Sequence, residues 1–533
     1  MDTILISRRS RIKILTPFPI RHPLQCAMFS SLRKSNHSAN QKPPEVDEGV
    51  VNVAEMIDSA PNGGTPALSL KITPKNGAIG LDAPLTTTEF CVTVTASKLP
   101  DDDDTARAPV DIVVALDVSG SMSGRKLELC KDTLNLLLRE LGAQDRFGLV
   151  VFGDEARLEI PTRKLTKASK NDALSKIKAL HTRGCTNMSG GIGLAAQELQ
   201  TVESPHEVRT IFLLTDGHAN RGISQKDEIV KLAKGCLGVT NERREIAIHC
   251  FGYGVDHDSE MLGDISKATE GGSYYFVDKD SDVSSAFGDA LGGVLSVVAQ
   301  NTSVKITVPN EASALGASIL HVKHDKAIKQ PDGSYLVPIG DFYAEESRDV
   351  IVETTLLARR DPHATTTMPL ISANLSYLDT INKKLVTVNE VTGSVKRPND
   401  GTVSKTNEYV ALQCIRIKAT NIISETEAMA EGDNLVEARA KIQAFIEEVQ
   451  MEAEKLEVTS EPLIVQLLGE LNTMLTGLAS RETYGSEGGK FLKMKNTQYS
   501  RQRCFESSDM TTNMYRSSKK SAMSSKMKKN SLA

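Results

Sequence analysis

Residues 110–124, "VDIVVALDVSGSMSG", decide the fold. The first half of this stretch is largely apolar and shows no clean alternation of polar and apolar residues. This composition is typical of a strand in a parallel sheet that is covered on both faces. The strand pattern ends in Asp117, and Ser119 and Ser121 follow at alternate positions. The stretch therefore predicts a buried strand whose end carries one carboxylate and two hydroxyls.

The residues around this stretch continue an alternation of strands and helices. Within residues 109–299, apolar runs such as "RFGLVVFG", "RTIFLLTDG" and "EIAIHCFGYG" are separated by segments with helical spacing, and "DVSSAFGDALGGVLSVVAQ" is predicted as the last helix. Such an alternation is typical of βαβ units. The sequence therefore predicts an α/β fold with a doubly wound, mostly parallel, Rossmann-like sheet.

The flanking segments have other patterns. Residues 65–108 contain two strand-like runs and residues 300–400 several more, which together predict a β-sandwich-like region into which the α/β domain is inserted. Residues 401–484 have helical spacing. Residues 1–64 are expected to be a disordered basic N-terminus and linker. Residues 485–533 are expected to be a disordered basic tail.

Composition narrows the class of protein. The chain has 533 residues and a formal net charge of −5, so the chain as a whole does not resemble a polyanion-binding protein, and no specific nucleic-acid site is predicted. Its eight cysteines form no C-x-x-C pair, which argues against a disulfide framework or a paired-cysteine zinc site. Scattered thiols favour a location inside the cell. The Arg-rich start is also compatible with an organelle transit peptide. No apolar run predicts a transmembrane helix.

Polar side chains from three loops are predicted to meet at one edge of the sheet. Asp117 and Asp216 each follow an apolar strand, and Thr186 lies in the loop "RGCTNMSGG". In open α/β sheets, ligands bind beyond the carboxyl ends of the strands. We therefore expect Asp117, Ser119, Ser121, Thr186 and Asp216 to converge. Asn187 and His218 are expected beside the site, as loop-stabilising or rim residues and not as ligands.

Two carboxylates and three hydroxyls are hard oxygen ligands. They suit Mg²⁺, Mn²⁺ or Ca²⁺ and do not suit zinc, which prefers sulfur and imidazole. A cation with few carboxylate ligands stays electrophilic and can accept an acidic oxygen from a partner protein. D-x-S-x-S by itself is also compatible with a helix N-cap. The agreement of three separate loops favours the metal site.

The segments "DVSGSMSG", "GCTN" and "LLTDG" resemble the metal-ion-dependent adhesion site of von Willebrand factor type A domains. The resemblance covers about residues 109–299 and implies direct or water-mediated metal ligation by Asp117, Ser119, Ser121, Thr186 and Asp216. It further implies a protein ligand with an exposed Asp or Glu. The oligomeric state is not predicted.

The order of domains is similar to that of plant A-domain proteins of the RING-containing ubiquitin ligase group, and distantly to that of inter-alpha-trypsin inhibitor heavy chains. Residues 44–108 lack the Cys/His cluster of a RING, since Cys91 stands alone there. An accessory or scaffold role in a ubiquitin ligase system is therefore one alternative function. A metal-dependent phosphohydrolase is another, although the chain contains no G-x-x-x-x-G-K-[ST] or G-x-S-x-G motif. We expect the chain not to be an enzyme.

Overall fold

The structure is a computed structural model that describes residues 66–83, 85–99, 107–238, 245–254, 256–277, 280–356, 367–503 and 517–531. The expected basic N-terminus and its linker, residues 1–64, lie outside the described residues.

Strands and helices are numbered in chain order. The strands are β1 (Leu68–Pro74), β2 (Thr87–Ala96), β3 (Val110–Asp117), β4 (Arg146–Phe152), β5 (Ala156–Lys164), β6 (Val208–Thr215), β7 (Ala247–Tyr253), β8 (Ser273–Val277), β9 (Val297–Thr307), β10 (Ile319–Lys323), β11 (Ile328–Lys329), β12 (Tyr335–Tyr343), β13 (Ser347–Thr355), β14 (Thr367–Asp379) and β15 (Lys384–Lys396).

The helices follow the same numbering. They are α1 (Arg125–Glu140), α2 (Lys167–Lys178), α3 (Met188–Gln200), α4 (Lys226–Leu237), α5 (Ser259–Ser266), α6 (Asp280–Val294), α7 (Asn310–Ala314), α8 (Glu408–Glu431), α9 (Leu435–Leu456), α10 (Pro462–Gly477), α11 (Arg481–Thr483), α12 (Gly489–Arg501) and α13 (Ser518–Ser531). Among the described residues, no single helix is long and apolar enough to cross a membrane. Residues 462–477 and 481–501 meet that test only when taken together, as a pair bent by 118°.

The stretch that decides the fold forms β3, and all eight of its residues are buried. β3 lies inside a six-stranded sheet with the order β5-β4-β3-β6-β7-β8. Its neighbours β4 and β6 run parallel to it, and only the edge strand β5 pairs in the antiparallel direction. The predicted α/β fold with a doubly wound, mostly parallel sheet is confirmed.

Alternate residues of β3 enter two separate hydrophobic cores. Ile112 and Leu116 pack in the core that also contains residues of α1 and α6. Val113 and Ala115 pack in the core on the other face, with residues of α3 and α4. Both faces of the strand are therefore covered, which explains why its sequence is apolar without alternation.

Strands from both sides of the α/β domain form one sheet of a β-sandwich. The order in this sheet is β1-β2-β13-β10, so β2 from before the domain pairs with β13 from after it, for example at Val92 and Val350. The second sheet has the order β11-β12-β9-β14-β15. The α/β domain is thus inserted in the chain between β2 of the first sheet and β9 of the second.

The last helix of the α/β domain is shorter than predicted. It ends at Val294, and residues from Val297 onward belong to β9. Ser296 stops the helix because both its backbone amide and its hydroxyl donate to the carbonyl of Gly293, each at 2.9 Å. The β-branched Val297 and Val298 that follow favour a strand. The prediction of a helix through residue 299 was therefore wrong.

The expected disordered tail, residues 485–533, is helical over α12 and α13, so that prediction was wrong for these two segments. Leu492 and Tyr499 of α12 are buried in the core formed by α8, α9 and α10. In α13, Lys520 donates to the buried carboxylate of Asp289 at 3.0 Å. The basic residues that suggested a solvated tail find partners in distant parts of the chain, which the local composition does not reveal.

Helix α13 packs closely on α6 at two glycines. A Cβ atom on Gly288 would lie 2.5 Å from the Cα atom of Ser524, and a Cβ atom on Gly292 would lie 2.8 Å from the Cα atom of Lys520. Both contacts are with backbone atoms, which cannot rotate away. The small residues of α6 therefore allow the close contact between the two helices.

We expect Gly288→Ala to displace α13 from α6. The added methyl group would overlap the backbone of Ser524, and overpacking of this kind costs about 1–3 kcal/mol. Gly235→Ala in α4 is the matched control, because Gly235 is exposed and a Cβ atom there meets nothing within 4 Å. The control should stabilise the protein by about 0.5–1 kcal/mol. Thermal unfolding and hydrogen exchange of residues 518–531 measure both effects. Equal stability and equal exchange in the two variants would contradict this account of the packing.

Candidate metal centre

The carboxylate of Asp117 anchors the first loop of the site. It is fully buried at the carboxyl end of β3. Its Oδ1 atom accepts a hydrogen bond from the backbone amide of Ser119 at 2.8 Å, and its Oδ2 atom accepts one from the hydroxyl of Thr215 at 2.7 Å. Burial raises the pKa of Asp117 to about 6, and the two hydrogen bonds act in the opposite direction. Both oxygens of Asp117 therefore hold protein groups in place.

The two serines and Asp216 form a continuous polar cluster. The Oγ atoms of Ser119 and Ser121 lie 3.0 Å apart, and the Ser121 hydroxyl donates to Oδ1 of Asp216 at 2.9 Å. A short 3-10 turn, Gly120–Met122, brings the serines to the same side of the loop. Ser119 and Asp216 are buried, whereas Ser121 is exposed. The cluster thus opens to the surface at Ser121.

Backbone contacts hold the loop of Thr186 next to the serine loop, and no hydrogen bond joins the Thr186 side chain to the cluster among the described residues. Its amide donates to the side chain of Asn220 at 2.8 Å, and its carbonyl accepts from the amides of Asn220 and Arg221, each at 3.2 Å. The same loop meets the first one, where the amide of Gly120 donates to the carbonyl of Gly184 at 3.1 Å. The three loops predicted from the sequence therefore meet at the carboxyl edge of the sheet. Direct side-chain hydrogen bonds join Ser119, Ser121 and Asp216.

Three residues that the sequence reasoning did not single out complete the site. The hydroxyl of Thr215 donates a hydrogen bond to the Asp117 carboxylate, and the side chain of Asn220 accepts one from the amide of Thr186. The ammonium group of Lys126, in the first turn of α1, lies 2.9 Å from Oδ2 of Asp216. Thr215 could have been found from the sequence, because it directly precedes Asp216 at the strand end. The contact of Lys126 could not, because it depends on how α1 begins.

Asn187 and His218 hold loops near the site. The side chain of Asn187 caps α3 by accepting from the amide of Gly190 at 3.0 Å. Atom Nε2 of His218 forms a hydrogen bond with the carbonyl of Asp256 at 2.5 Å. Both side chains are thus engaged with the loops around the cluster.

The donor set fits a hard divalent cation. The residues that the structure describes include no group of three His, Cys, Asp or Glu side chains that could hold a metal, so hydroxyl oxygens have to supply part of any shell. Hydroxyl and carboxylate oxygens suit Mg²⁺, Mn²⁺ or Ca²⁺. The Lys126 ammonium already lies against Asp216, which shows that this carboxylate attracts a positive charge.

Comparison with known proteins agrees with this fold. Residues 111–289 match the model of the von Willebrand factor type A domain. The E3 ubiquitin-protein ligase WAV3 of Arabidopsis thaliana is 28% identical over 256 residues, which cover 47% of this chain and 31% of that protein. The inter-alpha-trypsin inhibitor heavy chain H3 of Pongo abelii is 25% identical over 247 residues, which cover 45% of this chain and 26% of that protein. The chain therefore spans about a third or less of the length of these two relatives.

A solved structure extends the likeness beyond the α/β domain. The structure of a von Willebrand factor type A protein from Catenulispora acidiphila is 17% identical, with a TM-score of 0.60, and the match covers 81% of this chain and 96% of that one. At this identity the likeness concerns the fold alone. The doubly wound sheet, the family match and this fold likeness lead to one conclusion: the chain contains a von Willebrand factor type A domain, at residues 111–289.

Proposed function

We propose that this chain is a non-catalytic binding protein that captures an acidic side chain of a partner protein through a divalent cation. The cation would be Mg²⁺, Mn²⁺ or Ca²⁺. The observation that carries the proposal is the continuous cluster of Ser119, Ser121 and Asp216, which opens to the surface at Ser121. The proposed metal residues are Asp117, Ser119, Ser121, Thr186 and Asp216.

The contacts suggest different roles for these residues. Ser119, Ser121 and Asp216 are joined by hydrogen bonds between their side chains. The same oxygen atoms would ligate a cation. Asp117 is a positioning residue, because its oxygens accept from Ser119 and Thr215. When bound, the cation supplies an electrophilic position for a carboxylate oxygen of the partner. The chain's own contribution is to fix the oxygen donors before the partner arrives.

The similarity to WAV3 favours a second candidate function, an accessory or scaffold role in a ubiquitin ligase system. The similar segment covers about half of this chain. Such a role would use the same metal-dependent capture and would need no catalysis by this chain. Addition of the chain to a ubiquitylation reaction that contains a separate ligase would test it, since only the scaffold role predicts a change in substrate modification.

We expect the double variant Ser119→Ala/Ser121→Ala to lose divalent metal binding because it removes two of the three hydroxyl donors. Calorimetric titration of the full chain with Mg²⁺ and Mn²⁺ measures this loss. Ser123→Ala is the matched control, since Ser123 is exposed in the same loop and is not a proposed ligand. A resin bearing an Asp-containing peptide should retain the wild type and Ser123→Ala only when Mg²⁺ is present. Equal metal binding by all three proteins would refute the proposed ligand set.

We expect Lys126→Met to bind Mg²⁺ more tightly than the wild type. Lys126 pairs with Asp216 at 2.9 Å, so a cation that binds Asp216 would have to displace the ammonium group. A partly exposed ion pair is worth about 1 kcal/mol, which corresponds to an affinity gain of about three- to tenfold. Lys131→Met is the control, because Lys131 pairs with Glu128 on the same helix at 2.9 Å. Weaker Mg²⁺ binding by Lys126→Met, with unchanged thermal stability, would show that Lys126 assists the cation instead.

A further inference from the structure

A cavity of about 730 Å³ lies where the α/β domain, the sandwich and the helical region meet. Its wall includes Lys267 from the end of α5, Lys323 from β10, Arg416 from α8, and Asn496 and Arg501 from α12. This volume falls in the range of small-molecule sites, about 300–1,000 Å³. Sites at junctions between domains are common among ligand-binding pockets. The cavity is separate from the candidate metal centre, and none of the proposed metal residues lines it.

The wall of this cavity is rich in positive charge. Four arginines and three lysines line it, against three acidic residues. Part of this charge is balanced by carboxylates in or behind the wall. Lys326 pairs with Glu270, and Lys323 pairs with Glu89, each at 2.5 Å. Arg348 and Arg503 share the buried carboxylate of Glu346, at 2.9 and 3.0 Å.

Arg416 and Arg501 are not balanced in this way. Arg416 is buried and donates to the carbonyl of Tyr499 at 2.9 Å and to the side chain of Gln413 at 2.7 Å. Arg501 donates to the carbonyls of Gly272 and Thr269. Within the described part of the chain, no carboxylate lies within ion-pair distance of either guanidinium group. Arg416 also donates to the carbonyl of Asp349 at 3.3 Å. Neither guanidinium group therefore has a direct ion-pair partner among the described residues, although Glu270, Glu245 and Asp325 act on Arg501 from a greater distance.

A buried or partly buried charge without a direct ion-pair partner is costly, and an anion bound beside it would reduce this cost. Burial lowers the pKa of Arg501, because the loss of water contacts disfavours its charged form. The planar guanidinium group suits phosphate oxygens in particular, because it can donate two parallel hydrogen bonds. The rim adds further donors, since Asn421, Ser424 and Ser500 line the cavity and are exposed.

We infer that this cavity binds a small molecule bearing phosphate groups, with Arg416 and Arg501 as the main charge partners and Lys267 at the rim. The volume accommodates more than inorganic phosphate, so the ligand class is a phosphorylated metabolite of nucleotide or sugar-phosphate size. Because the wall comes from three parts of the chain, the ligand would stabilise their arrangement by mass action. The inference does not depend on the proposed metal-dependent function.

The test uses the full chain in EDTA, so that it is independent of the metal centre. The probes are pyrophosphate, ATP and, as a polycarboxylate of comparable charge, citrate. Titration calorimetry and thermal unfolding should show saturable binding of pyrophosphate or ATP and a rise in the unfolding temperature of several degrees. Citrate should bind at least tenfold more weakly. Absence of pyrophosphate and ATP binding at millimolar concentration would overturn the inference, and equally tight citrate binding would overturn the assignment to phosphate.

Two rim variants locate the binding without disturbing the buried arginines. Asn421→Asp and Lys267→Glu each add negative charge at an exposed position of the cavity. Each should weaken probe binding at least tenfold, with unchanged thermal stability of the free protein. Asn472→Asp is the matched control, because Asn472 is exposed on α10 and lies outside the cavity wall. Wild-type affinity in both rim variants would place the probe elsewhere and overturn the assignment of the site.

Discussion

The buried carboxylate of Asp117 is the interaction on which the candidate site depends. A carboxylate without water is costly unless its oxygens receive hydrogen bonds. Here one oxygen accepts a hydrogen bond from the amide of Ser119. The other accepts one from the hydroxyl of Thr215, the last residue of the neighbouring strand. The ends of β3 and β6 and the serine loop are thereby held in register. The positions of Ser119, Ser121 and Asp216 follow from that constraint.

A second set of buried charges joins the end of the chain to its earlier parts. Arg503 pairs with Glu346 at 3.0 Å, and Lys520 pairs with Asp289 at 3.0 Å. The side chains of Arg503 and Lys520 also lie over the ring of Tyr343, at 4.0 and 5.0 Å from its centroid. Removing one partner of a buried pair leaves an unpaired charge, so each pair strongly disfavours release of its segment. These contacts turn a basic, serine-rich sequence into ordered structure.

The sequence was sufficient where the relevant signals were local. The apolar run of β3 and the D-x-S-x-S spacing predicted the sheet, and parallel topology then placed Asp216 near Asp117. It was insufficient where the partner of a residue lies far away along the chain. From the local sequence, Lys520 is expected in a solvated tail. Its partner Asp289 lies 231 positions earlier in the chain, so no local pattern indicates the contact. The end of α6 was also missed, since "VLSVVAQ" continues an apolar pattern that suits a helix or a strand equally well.

The candidate metal centre and the cavity lie at opposite edges of one sheet. The candidate metal centre follows the carboxyl ends of β3 and β6, whereas the cavity includes residues just before β8. The sandwich and the helical region attach at this second edge, where Arg501 and Arg503 donate to the carbonyls of Gly272 and Gly271. Their attachment there leaves Ser121 exposed at the first edge. Ser121 at the candidate metal centre is therefore accessible without displacement of either neighbouring region. An anion in the cavity would act on the domain arrangement without competing for the same face.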